Sequence, residues 1–432
     1  MTQQANKRAR SRAGCLLAMM ALWPALALGQ TSPIGVGGNG IKVGEGRLHP
    51  TFDLETRVDS AAGYFPPPGN TVPGVVMDSL SSEALLHIRP GFVLELPGSS
   101  VSVNMTGYVD YVHYTGLLTP GSTAVSHVEG LGDLKVTFNR EAPVSVEVGD
   151  HFERSDRTTS AALGAGVLSL FNEARVAVPL RPGGGALEVT PQVSWGVEFF
   201  KPLGAVAPVG CDDTRACDPL QVNDFDYSNL RASLQGRWRF LPKTALVVDT
   251  QFNYRSYFQS GTNPALLLNA TAGVSGLVTP KISVTARAGW GKDFGAEYAG
   301  TLLAQLEASY LLSQTASIKI GYSRTLQPVA KFDLFRDDRG YLEGQALLGG
   351  RLTLRGTVSY DYLSFQNPES LGAEGARRDT LFRLDLGPQY QFERWLIGGV
   401  GYLLNVRTST DEQAGGINYT RHEGYLRVTV TY

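Results

Sequence analysis

Over most of its length this chain alternates apolar and polar side chains one by one. Between Leu230 and Phe240, Leu230, Ala232, Leu234, Gly236, Trp238 and Phe240 fall on one side of an extended segment, and Arg231, Ser233, Gln235, Arg237 and Arg239 on the other. Successive side chains of a strand point to opposite faces, so the segment has one greasy and one cationic face. The last residues repeat the pattern, Leu426, Val428, Val430 and Tyr432 opposing Tyr425, Arg427, Thr429 and Thr431. Near the start, Phe52, Leu54, Thr56 and Val58 alternate with Asp53, Glu55, Arg57 and Asp59. From Leu48 to Tyr432 the pattern predicts eighteen strands, or sixteen if the weaker segments at His127 and Tyr341 are not strands.

The connections follow a rule of their own. After even-numbered strands they are short (PGSS, REAP, RPGGG, LPKT, VTPK, LSQT, GG, ER); after odd-numbered strands they are longer and rich in charge, Pro or Gly, as in Pro66 to Pro73 and Lys201 to Asn223. Short turns at one end and long loops at the other are expected of an all-β fold, a transmembrane antiparallel up-and-down β-barrel with periplasmic turns and external loops. A spanning strand needs only about 9–11 residues, which these segments supply. Tyr108, Tyr111, Tyr114, Tyr254, Tyr257, Tyr310, Tyr322, Tyr360, Tyr390, Tyr402 and Tyr432 lie mainly near strand ends, where interfacial belts place such rings.

The first residues add an address. Lys7, Arg8, Arg10 and Arg12 precede an apolar run from Cys15 to Leu28, and Ala27-Leu28-Gly29 offers a small-residue cleavage site. That is the pattern of a secretory signal peptide, too short and too broken by Pro24 to anchor. The expected organisation is a signal peptide over 1–29, a Gly-rich periplasmic lead-in over 30–46 and a barrel over 47–432, in the outer membrane of a Gram-negative bacterium. Outer-membrane lipid and the barrel-assembly machinery are then the expected partners, the latter reading Leu426, Val428, Val430 and Tyr432 on the closing strand.

Charge and composition narrow the chemistry. Without the leader the chain carries 34 basic and 40 acidic residues, a weak acidity that argues against nucleic-acid binding. The apolar face must meet lipid, because a charge at the bilayer midplane costs about 2–4 kcal/mol. The other face is then a charged lumen wall: Arg231, Arg237, Arg239, Arg255, Arg287, Lys319, Arg355, Arg383 and Arg427, with Asp249, Glu307, Asp361, Asp385 and Glu423 between them. Two readings of this wall stay open. Its charges brace neighbouring strands, or an arginine-rich side faces an acidic patch at Asp53, Glu55 and Asp59 and favours anionic solutes or polymers.

Catalytic chemistry is not indicated. None of the six histidines has metal-ligand spacing, and there is no GxSxG elbow, phosphate loop, CxxC or dinucleotide fingerprint, so neither an enzyme nor a cofactor is expected. Cys211 and Cys217, the two cysteines after the leader, most simply close a small disulfide within one loop. A calcium site at Asp212, Asp213, Asp218, Asp224 and Asp226 is the sharper alternative, but acidic loops are usually just solvated, and no metal is assigned.

The segments GIKVGEGRLHPTFDLETRVDSAAGYF, LLHIRPGFVLEL and GYVDYVHY resemble the start of the β-barrel porin type 2 family. They are also similar to barrel proteins that accompany polysaccharide export in gliding bacteria. The resemblance implies a conduit for a secreted polysaccharide, working with a periplasmic export partner. The alternative is a plugged barrel serving as a scaffold for adhesion, motility or envelope assembly.

Overall fold

The computed structural model describes residues 40–63, 81–157, 167–203, 222–258, 264–295, 300–329, 332–365, 377–410 and 418–432. Eighteen strands make the wall: β1 (Gly46–Gly63), β2 (Ser81–Leu96), β3 (Val101–Tyr114), β4 (His127–Phe138), β5 (Val146–Ser155), β6 (Val167–Ala177), β7 (Leu187–Pro202), β8 (Tyr227–Leu241), β9 (Thr244–Tyr257), β10 (Ala265–Thr279), β11 (Ile282–Asp293), β12 (Thr301–Ser313), β13 (Ala316–Val329), β14 (Phe332–Leu348), β15 (Leu352–Phe365), β16 (Arg378–Leu386, resuming as Gln389–Glu393), β17 (Leu396–Ser409) and β18 (Tyr419–Thr431). Each pairs antiparallel with the next, and β18 pairs with β1 from Thr51↔Thr431 to Asp59↔Glu423. The cylinder is closed, which leaves no open edge in the membrane.

The expected strands at His127 and Tyr341 both exist, and the second is longer than its pattern suggested. β14 begins at Phe332, nine residues before Tyr341, and β13 continues to Val329. The expected long loop there is therefore a hairpin tip, and the short-long alternation of connections fails there. The stretch FDLFRDDRGY is dense in charge, yet it stays in the ladder, with Asp338 opposite Arg324. Val144 and Leu180 lie just outside β5 and β6, joined to each other by an isolated bridge. Part of the expected lead-in is ordered too: Ile41–Val43 folds back onto β1 through Val43↔Gly46. The expected leader, Cys211, Cys217, Asp212, Asp213 and Asp218 lie outside the described residues.

Parity along the strands sets the two faces. Phe52, Leu54, Val58, Leu234, Trp238, Leu306, Ile320, Leu426 and Val428 are all exposed on the exterior. An apolar exterior on so many strands is far more than a water-soluble surface carries and fits hydrocarbon. Tyr111, Tyr254, Tyr310, Tyr360, Tyr390 and Tyr402 join it. Tyr108, Tyr114 and Tyr257 do not belong to a lipid belt. They sit on the other parity, and Tyr114 is fully buried, because closeness to a strand end does not determine which face a residue takes.

Two glycines have a clear inward purpose. Tyr341 lies flat over Gly321 and Tyr425 over Gly401, their cross-strand partners, so that a Cβ on either glycine would meet the ring at 2.2 and 2.1 Å. The ring covers backbone that a side chain would otherwise cover.

Candidate functional site

The inward face is a set of charge clusters, each made by strands that the ladder places side by side. At the β18–β1 seam, Arg427 Nε donates to Glu55 Oε2 at 2.6 Å, and Arg57 donates to Glu55 through Nε at 2.9 Å and to Glu423 through Nη1 at 3.0 Å. Arg421 closes on Asp59 at 2.9 Å and 2.5 Å. On β2 and β3, His87 and Arg89 share Asp110 at 3.0 and 2.5 Å. Asp379 of β16 is gripped by Arg377, just before that strand, at 2.7 Å and by Arg407 of β17 at 2.6 Å.

All the residues expected of the lumen wall lie on this face. Arg231 pairs with Glu173 at 3.3 Å, Lys319 with Glu343 at 3.0 Å, and Arg383 approaches Asp361 at 3.9 Å. Glu307 accepts the Tyr341 hydroxyl at 2.6 Å. Arg255 lies 3.9 Å over the Tyr227 ring. Arg237 and Arg239 sit near the turn end of β8, Asp249 on β9, Arg287 on β11 opposite Gln305, Arg355 on β15 and Asp385 on β16 opposite Thr357. One expectation is corrected. The acidic patch is not a set of free charges, because barrel closure makes β1 and β18 neighbours and Glu55 and Asp59 are paired there with Arg427 and Arg421.

Three segments near the loop end reach inward across several strands. Arg157, just after β5, donates to both oxygens of Glu423 on β18, through Nη1 at 3.4 Å and more closely through Nη2. Leu203, just after β7, is buried in an apolar cluster with Ala62, Leu85, Val112 and Tyr114 from β1–β3. The tip of the β13–β14 hairpin is the third. Leu326 and Leu334 pack on Leu267 of β10 and Leu303 of β12, while Arg255 donates to the Pro328 carbonyl at 2.8 Å and Asn269 to the Leu326 carbonyl at 3.3 Å. Because β12 pairs with β13 only up to Ala304↔Arg324, the tip is released to lean inward. At this end the described ends of the connections therefore lean into the interior.

The β3–β4 connection is pinned in the same region. Glu83 accepts bonds from the Thr119 amide at 3.1 Å and the Ser122 hydroxyl at 2.6 Å. Close by, His127, Glu129 and Asp156 bring one ligand atom each within 4.8 Å of one another. His127 Nδ1 is 2.9 Å from the Val125 carbonyl and Nε2 is 3.3 Å from Glu129. Burial pushes the Asp156 carboxyl up, but Arg157 and Arg421 outweigh it and hold the group below the usual carboxylate range. Sequence parity could have placed Glu83, Asp110 and Asp379 inward; nothing periodic marked Arg157, Leu203 or Arg377, which lie in connections.

No family model and no curated protein matches the chain. Among solved structures it is similar to the crystal structure of Acinetobacter baumannii OccAB3 (11% identity, TM-score 0.45, covering 90% of this chain and 100% of that one). It is also similar to the siderophore receptor PirA from Pseudomonas aeruginosa (11%, 0.46, 90% and 81%) and the outer membrane protein opdK from the same organism (12%, 0.44, 89% and 98%). This chain is an outer-membrane β-barrel. Its own closed ladder and apolar exterior carry that statement.

Proposed function

We propose that this barrel is a gated outer-membrane conduit that exports a secreted polysaccharide. The observation that supports it best is the combination of a closed, eighteen-stranded wall, charged within, and described mouth segments that reach inward onto other strands through Arg157, Leu203 and Leu326. Arginines lie over inward tyrosines at Arg89–Tyr108 (5.0 Å) and Arg427–Tyr425 (5.3 Å). Such surfaces suit a sugar polymer, since rings offer flat apolar faces and guanidiniums offer donors to hydroxyls and carboxylates. The resemblance of the first segments to barrels of polysaccharide export supports the choice of cargo. A periplasmic partner would deliver the polymer to the turn end, and no enzymatic step is required of the barrel.

A second reading has its own support. Glu55, Asp59 and Glu423 are wholly inaccessible, which fits a braced, plugged scaffold whose external loops do the work. Conductance of the purified protein in planar bilayers separates the two readings. Stable large steps, reduced by added anionic polysaccharide, support the conduit. Silence in the wild type and in variants with loosened mouth segments supports the scaffold.

A further inference from the structure

The exterior of the β13–β14 hairpin breaks the apolar pattern. The register puts Ile318, Ile320, Tyr322 and Arg324 of β13 on the outward parity, opposite Gly344, Leu342, Gly340 and Asp338 of β14. Ile320 and Leu342 are exposed apolar residues of the band, and the half-buried Tyr322 follows on the same face toward the loop end, where interfacial rings belong. Directly above, Asp338 receives Arg324 Nε at 2.5 Å, Arg336 Nε at 2.9 Å and the Tyr322 hydroxyl at 2.6 Å. The two arginine side chains keep 29% and 28% exposure, against 12% for the aspartate between them. What this surface presents outward is therefore guanidinium, with a net charge of +1 over the three groups.

Two arginines on the lipid-facing side are costly in hydrocarbon, and the cost falls to about 0–1 kcal/mol at the interface. Their place just beyond Tyr322, at the loop end of the barrel, is the level of the outer-leaflet headgroups. Asp338 fixes both planar forks side by side, an arrangement suited to a bidentate anion such as a phosphate monoester. We propose that Arg324, Arg336 and Tyr322 form an exterior binding site for the phosphate of a lipid A headgroup. Asp338 acts as the positioning residue that spaces the two guanidiniums. The site lies on the outside of the wall and is independent of what passes through the lumen.

The test uses the full-length protein in detergent, with native mass spectrometry following retention of bisphosphorylated lipid A and of the same lipid with its phosphates removed. The wild type is expected to bind the phosphorylated form about tenfold more tightly, the size of one charge-assisted contact. R324Q/R336Q should lose that preference, while R324K should retain part of it, because an ammonium still attracts phosphate but cannot grip it at two points. Removing Lys292 on the exterior of β11, as K292Q, should leave it unchanged. Equal binding of the two lipids by the wild type would overturn the proposal without recourse to any variant. So would a folded R324Q/R336Q protein that still discriminates, which would leave the triad only a brace where β13 parts from β12.

Discussion

Arg157 and Glu423 stand 266 positions apart in the chain, yet the guanidinium of one spans both oxygens of the other. Glu423 is fully buried and also faces Arg57 at 3.0 Å and Arg421 at 3.7 Å, so it is the common anion of three arginines. Replacing it by Gln leaves three cations facing one another. Removing one partner from a buried ion cluster costs about 3–5 kcal/mol. Glu423→Gln is therefore expected to lower the unfolding temperature in detergent clearly. Arg157→Gln, which keeps Arg57 and Arg421 on the same carboxylate, should cost much less and should raise single-channel conductance by loosening one inward segment. Unaltered conductance in a folded Arg157→Gln protein would remove that contact from any gating role.

The hairpin tip gives an independent prediction. Gly291 leaves room for it, since a Cβ there would meet Asn269 Oδ1 at 2.6 Å, Leu303 at 3.1 Å and Leu326 at 3.3 Å. A large side chain, as in Gly291→Trp, should evict Leu326 from its contacts with Leu267 and Leu303. Leu326→Ser should release the tip by a gentler route, giving up about 2 kcal/mol of apolar burial. Both variants should make the tip more accessible to protease and increase conductance together. An effect of Gly291→Trp on stability alone would mean that the tip is only a structural cover.

The two kinds of result differ in how far the residues announced them. Each strand in the sequence carries its own parity, so the lipid face at Leu426, Val428 and Val430 and the inward position of Arg231 or Arg255 could be read locally. Partnership could not. That Arg427 meets Glu55 depends on closure of the cylinder, which joins residues 372 positions apart. The inward crossings were least legible: Arg157 and Leu203 lie in connections without period, and Leu326 has outward parity but is buried because its hairpin bends away from β12. The tyrosines show the same division, Tyr111 and Tyr114 being three residues apart and on opposite faces.

Acid should act on the mouth in a definite direction. Burial pushes Asp156 up, but Arg157 and Arg421 together depress it, so its folded-state value lies below that of the unfolded chain. The stability it contributes is fully present above the ordinary carboxylate value of about 4 and is lost as pH falls through the folded value. Thermal unfolding of the wild type should therefore show no change from this group between about pH 5 and 8. Asp156→Asn should lower the unfolding temperature across that range and shrink the decline seen in stronger acid. An Asp156→Asn protein with an unchanged acid limb would assign that limb to other carboxylates.

Ion selectivity separates arginines that are neutralised locally from those that shape the lumen. Arg427 is matched to Glu55 at 2.6 Å, so Arg427→Gln should destabilise the seam yet change selectivity little, because the carboxylate it leaves still has Arg57. Arg237, Arg287 and Arg355 lie on three different strands, and none stands opposite an acidic residue in its β-ladders except Arg237, which pairs with Glu188 across to β7. Neutralising the three together to Gln should shift reversal potentials in a salt gradient toward cations, since fixed wall charges set the field along a pore. The shift should weaken as ionic strength rises and the Debye length falls from about 10 Å at 0.1 M toward 3 Å at 1 M. If the triple variant conducts with wild-type selectivity at low salt, these arginines do not face the path of the ions, and the field must come from the mouth clusters around Glu423 and Asp379 instead.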